Sequence, residues 1–118
     1  METFFAEILL PLPLKGTFSY RIPQALVGRV KFGVRVVVPF GKNKLYSGLV
    51  LNVHNVVPQT INIKYISEVI DDMPVISEQQ LQLWQWMADY YLCTLGEVMA
   101  CAMPSALKLA GETHVQLH

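Results

Sequence analysis

Aromatic side chains stand beside basic ones along the first half of the chain: Phe18 and Tyr20 next to Arg21, Phe40 next to Gly41 and Lys42, then Tyr46 and, further on, Lys64. Single-stranded nucleic acid is held by this combination. An aromatic face stacks on any base, at about 1–3 kcal/mol per base, while cations neutralise the backbone phosphates. The competing reading places Phe18, Tyr20, Phe40 and Tyr46 in a hydrophobic core, and residue types alone leave both open.

Other chemistries find no complete set of groups. The Gly41-Lys42 pair is followed by Asn43 and lacks the upstream glycine of a phosphate-binding P-loop, and no G-x-G-x-x-G dinucleotide fingerprint occurs. His54 is the one histidine inside the predicted fold; with no paired nucleophile it reads as a structural or surface strand residue. Asp71-Asp72, ahead of Met73-Pro74, reads as a solvated turn. Cys93 and Cys101 stand eight apart without a CxxC, which predicts buried free thiols and neither a zinc site nor a disulfide. A binding domain is therefore favoured over an enzyme.

The chain has 118 residues, which is one domain. With 53% hydrophobic and 15% charged residues and a mean hydropathy of +0.36, it is too apolar for disorder and leaves apolar surface for a partner. Its zero net charge conceals a division. Residues 1–64 carry eight basic and two acidic side chains, and residues 65–118 carry one basic and seven acidic. Either the first half attracts a polyanion, or the halves neutralise each other across a shared interface. Glu7, Pro11, Pro13 and Lys15 interrupt the greasy start of the chain, so neither a membrane span nor a secretory signal is expected, and the reading is cytoplasmic.

The elements that must position these residues follow from periodicity. Residues 2–10 read as a strand with Phe4, Ala6, Ile8 and Leu10 on one face and Phe5, Glu7 and Leu9 on the other, and clean alternation predicts a second strand over 17–22 with Phe18, Tyr20 and Ile22 on one face. Further strands are predicted over 34–38, 45–54 and 61–70, with a turn at Pro39-Phe40-Gly41-Lys42-Asn43-Lys44 and a bulge or tight bend at Gly48. Ser77 with Gln80 and Thr94 with Glu97 are capping boxes that open two helices, one running to about Tyr91 and one stopping before Pro104. In the first, Glu78, Gln82, Gln85 and Asp89 form a narrow polar wedge, and the remaining apolar circumference exceeds what one sheet face can bury. Strands first and helices after predict an α+β fold: a small, strongly curved antiparallel β-barrel of OB-like type, with about five or six strands over residues 1–72, then a helical part over 73–104 and a tail or linker over 105–118.

Against that background a set of motifs becomes specific. Leu10-Pro11-Leu12-Pro13-Leu14, Thr17-Phe18-Ser19-Tyr20, Gly33-Val34-Arg35-Val36-Val37-Val38-Pro39-Phe40-Gly41-Lys42 and Gly48-Leu49-Val50 resemble, in order and spacing, the N-terminal 3′-DNA-end-binding domain of the PriA family of replication-restart helicases. Met87-Ala88-Asp89-Tyr90-Tyr91, Leu95-Gly96-Glu97 and Met103-Pro104 resemble the helical part of the same domain. The resemblance implies a domain of a longer ATP-dependent 3′–5′ DNA helicase that grips the 3′-terminal nucleotide of the nascent leading strand at stalled forks. It implies DNA and the remaining helicase domains as partners, and no membrane. It also implies no cofactor for this part, with ATP, magnesium and zinc belonging to the rest of the longer protein. Carried over by position, the end-binding residues are Phe18, Ser19, Gly41 and Lys64, with Tyr20, Phe40 and Lys42 as further DNA contacts. One departure stands out: the family commonly has Asp where this chain has Ser19, replacing a carboxylate acceptor by a hydroxyl that also donates.

Overall fold

The computed structural model describes residues 3–41, 44–57 and 63–103. Five strands, β1 (Phe5–Leu9), β2 (Phe18–Arg21), β3 (Arg35–Pro39), β4 (Leu45–His54) and β5 (Glu68–Val69), precede two helices, α1 (Glu78–Tyr91) and α2 (Leu95–Ala102). The strands form one antiparallel sheet in the order β2-β1-β4-β3-β5. This is the expected α+β architecture, but the sheet is not closed into a barrel, because β2 and β5 do not pair. The segment ahead of β5 divides its backbone bonds between the two edges. The Arg21 N–H donates to the Lys64 carbonyl at 2.9 Å and the Ile66 N–H to the Arg21 carbonyl at 3.0 Å, whereas the Ser67 and Ile70 N–H groups reach Val37 and Arg35 of β3. That division leaves two residues of regular ladder where a strand over 61–70 was expected; residues 61 and 62 lie outside the described ones.

Alternation along the strands builds two cores. Ala6, Ile8, Tyr20, Val34, Val36, Val38 and Val50 gather in one core, while Leu9 and Leu49 belong to a second, with Trp84 and Ala88 of α1 and Val98 and Met99 of α2. The sheet is thus buried on both faces. Truncating a side chain such as Leu49 to alanine is expected to cost about 2–5 kcal/mol. The expected irregularity lies elsewhere than at Gly48. Glu7 opposes Asn52 and Ile8 opposes Val50, so the extra residue is Leu51, and Gly48 sits in regular register with Val36. Gly48 is needed for space, since a Cβ there would stand 2.6 Å from Ile8 Cγ2.

Both cap hydroxyls work as the sequence predicts, but only the second cap is a full box; at Ser77 the reciprocal bond to the Gln80 side chain is not made. The Gln80 N–H donates to Ser77 Oγ at 3.1 Å, and Thr94 and Glu97 exchange bonds in a full capping box, with Glu97 N–H on Thr94 Oγ1 at 3.2 Å and Thr94 N–H on Glu97 Oε1 at 2.9 Å. Only Trp84 and Ala88 of α1 are buried; Leu83, Trp86, Tyr90 and Tyr91 remain exposed, as the surplus of apolar circumference requires. Among the described residues no helix is long and apolar enough to cross a membrane.

The basic and acidic halves meet at Asp71, which is not the solvated turn residue that the sequence predicts. Its carboxylate takes a fork from Arg35, Nε at 2.8 Å and Nη2 at 2.7 Å, plus the Arg35 backbone N–H at 3.0 Å. These bonds hold the Asp71 carboxyl below its ordinary range despite partial burial. Asp72 does face solvent, and its 3.5 Å pairing with Arg29 is of the exposed kind that contributes little.

Candidate functional site

An open pocket of about 310 Å³ lies at one end of the sheet, between the start of β2, the turn after β3 and the segment approaching β5. Its lining includes Phe18, Ser19, Tyr20, Phe40, Gly41 and Lys64, so six of the seven residues singled out from the sequence share one cavity. Lys42 lies outside the described residues. The volume is at the lower end of ordinary ligand sites, with room for a group of roughly nucleoside size.

Two contacts fix the walls. The rings of Phe18 and Phe40 meet edge to face at 5.0 Å, and Phe40 meets Tyr46 at 6.1 Å. Phe18, Phe40 and Tyr46 are half-buried against the inner core, so core and wall are one role here. Beneath them the Tyr20 hydroxyl donates to the Pro39 carbonyl at 2.7 Å, joining β2 to the residue from which the Phe40–Gly41 turn departs. Tyr20 is 4% exposed, and burial pushes its hydroxyl up to about 12. Its ring is therefore core and offers no open stacking face; what it supplies is the bond that holds the walls together.

Gly41 takes φ +74°, in the left-handed region, and a Cβ built on it would meet no atom within 4 Å. Opposite, Lys64 is exposed. Antiparallel alternation adds two backbone groups. Arg21 bonds the Lys64–Ile66 segment through its own N–H and C=O, so Ser19, two residues earlier on the same strand, turns its N–H and C=O to that same edge, where the pocket lies. The lining thus offers an aromatic surface, an ammonium group, and backbone donors and acceptors.

The side chain of Ser19 is engaged on the other face of β2. Its Oγ donates to Glu7 Oε2 at 2.6 Å, Thr17 Oγ1 donates to Glu7 Oε1 at 2.9 Å, and His54 Nε2 stands 2.8 Å from Glu7 Oε2. The Val56 N–H donates to His54 Nδ1 at 3.2 Å, which places the ring proton on Nε2, facing the carboxylate. Burial raises the Glu7 carboxyl, but bonds from Ser19, His54 and Thr17 outweigh it and hold the group below its ordinary value of 4.5. Sequence reasoning missed Glu7. The available signal was that Glu7, Thr17 and Ser19 occupy the polar face of two neighbouring alternating strands.

Two further cavities among the described residues suit a polyanion poorly. A larger cleft of about 650 Å³ beside α1 and α2 is lined by Asp89 and Glu97 against Lys15, and a third, of about 430 Å³, is almost wholly apolar. Among the described residues no three His, Cys, Asp or Glu side chains gather as a metal would require.

Residues 7–104 match the family model described as the PriA 3′DNA-binding domain (3′BD). Full-length relatives agree. The chain is 31% identical over 117 residues to the replication restart protein PriA of Bacillus subtilis, covering 96% of this chain and 14% of that protein. It is 33% identical over 104 residues to PriA of Treponema pallidum, covering 84% and 16%, and 30% identical over 111 residues to PriA of Haemophilus influenzae, covering 93% and 15%. It therefore spans about a seventh of the length of the curated relatives it matches.

Proposed function

The chain belongs to the family of PriA 3′ DNA-binding domains, and we propose that its pocket receives the 3′-terminal nucleotide of a DNA strand, with a free 3′-hydroxyl and without regard to base. The observation that carries this reading is the convergence of Phe18, Ser19, Gly41 and Lys64 on one nucleoside-sized cavity. A strand's end differs from its interior by a hydroxyl where the next phosphate would be. A backbone carbonyl at the Gly41 turn accepts a hydrogen bond from that hydroxyl and repels a phosphate in its place. Phe18 supplies apolar ring surface, and Lys64 answers the phosphate behind the terminal sugar as a mobile charge. None of these contacts reads a base edge, so sequence preference is weak.

In the cell such a grip would position a PriA-type helicase at the nascent leading strand of a stalled fork, with ATP-driven unwinding supplied by the rest of the longer protein. The exposed face of α1 supports a second contact, to that remainder. Trp86 and Tyr90 stack at 5.1 Å in the open, and Leu92, 92% exposed, closes the helix at φ 57°, a conformation unusual for leucine. Loss of co-elution with the remainder of the protein on Trp86→Ala is the expected result.

An NMR titration with a 3′-hydroxyl trinucleotide tests the location of the grip. Backbone amides of Phe18, Ser19, Gly41 and Lys64 should shift first and most. Shifts confined to α1 and α2 would contradict the reading.

A further inference from the structure

On the outer side of the β2 edge the Arg21 guanidinium is held between two rings, its Cζ 5.5 Å from the centroid of Phe5 and 5.6 Å from that of Tyr65. Its Nε is buried without a hydrogen-bond partner, and no carboxylate pairs with Arg21 among the described residues. This cation is thus positioned by aromatic faces while its charge stays uncompensated. The arrangement is fixed at the backbone, because the bonds from Arg21 to Lys64 and from Ile66 to Arg21 pin the segment that carries Tyr65. Phe5, on the near side, is 1% exposed; Tyr65, on the far side, is 52% exposed. Tyr65 thus presents a ring backed by a cation to solvent. Lys64, its immediate neighbour in the chain, lines the pocket.

We infer that Tyr65, backed by Arg21, is a second nucleotide subsite that stacks the base preceding the terminal one. The inference rests on the pocket reading above. A strand whose last nucleotide fills the pocket and whose next phosphate meets Lys64 leaves across the β2 edge, and the first surface it reaches there is the Tyr65 ring. Base stacking needs a flat, open, immobilised face, and Arg21 immobilises this one while adding positive charge for the departing backbone. The acidic second half of the chain offers no comparable route, since a phosphate leaving toward α1 meets Asp89 and Glu97.

The test uses the 118-residue chain and a 3′-hydroxyl tetranucleotide carrying 2-aminopurine at either the terminal or the preceding position. Quenching at the preceding position should occur with the native chain and with Tyr65→Phe, and should vanish in Tyr65→Leu. Quenching at the terminal position should persist in all three. Affinity of Tyr65→Leu for the tetranucleotide should fall roughly five- to 150-fold, the equivalent of about 1–3 kcal/mol at 1.4 kcal/mol per tenfold. Arg21→Met, which keeps the length of the side chain without its charge, should weaken binding and flatten its salt dependence. Native affinity in Tyr65→Leu with quenching at the preceding position intact would overturn the subsite. Failure of the pocket reading is a separate result: the unaltered chain would then bind 3′-hydroxyl and 3′-phosphate strands equally, whatever stands at position 65.

Discussion

Ser19 Oγ donates to Glu7 Oε2 at 2.6 Å, directly across the β1–β2 pair. Where the resemblance to the PriA family leads one to expect Asp after Phe18, this chain has a hydroxyl whose acceptor is a carboxylate on the neighbouring strand. The negative charge has not left the region; it sits one strand away and organises Thr17 and His54 as well.

Restoring the family's residue alone should therefore harm this chain. Ser19→Asp sets two carboxylates opposite each other on one face, and like charges so placed destabilise. A loss of about 1–3 kcal/mol is expected from denaturant unfolding at neutral pH, with most of it recovered when Glu7→Gln is added. Equal stability of Ser19→Asp and the native chain would show that the Glu7 network contributes little.

The same network predicts acid sensitivity. Glu7 has a folded pKa below its ordinary 4.5, so the folded state resists protonation there more than the unfolded chain does. Its contribution is complete above about pH 4.5 and disappears as pH falls through the lower folded value. Glu7→Gln should be less stable than the native chain at neutral pH, and the gap should narrow in acid, which thermal unfolding at a series of pH values measures.

At the alkaline end Tyr20 gives the opposite sign. Its pKa rises from 10 to about 12 on folding, so stability is untouched below pH 10, declines as the unfolded chain ionises first, and levels off above about pH 12. The loss should be on the order of 2 kcal/mol. Tyr20→Phe should unfold more readily at neutral pH, by about 1 kcal/mol for the bond to Pro39, and should lack this alkaline decline.

Lys64→Ala should weaken DNA binding and reduce the slope of log affinity against log salt by about one phosphate's worth, roughly 0.7 for a single strand. Lys64→Arg should keep the slope. An unchanged slope in Lys64→Ala would remove this lysine from phosphate contact.

Much of this architecture was legible because its signals are local. The β-rich run from Leu45 to His54, set off by the Pro39–Lys44 turn, forms a strand with those limits, and Ser77 and Thr94 start their helices because the cap hydroxyl and the N–H it accepts from are three residues apart. What escaped depends on pairing. The bulge at Leu51 exists only relative to β1, the contact between Glu7 and Ser19 requires the register of a hairpin interrupted by two prolines, and Asp71 meets Arg35 from 36 residues away. The open sheet is a similar case, because residues 64–70 serve two edges at once. At the site, Phe18, Gly41 and Lys64 were identified through family resemblance, since nothing local to any of them shows that they converge. Tyr20 reads as a base platform until its hydroxyl is seen to reach Pro39.

Recognition of a strand's end is tested most directly by fluorescence anisotropy with one oligonucleotide in three forms: free 3′-hydroxyl, 3′-phosphate and 5′-phosphate. A cavity that accepts the hydroxyl and repels anything beyond it predicts that the 3′-phosphate weakens binding by tenfold or more, while the 5′-phosphate leaves it nearly unchanged. Equal affinities for all three would make the chain a general single-strand binder and contradict the account.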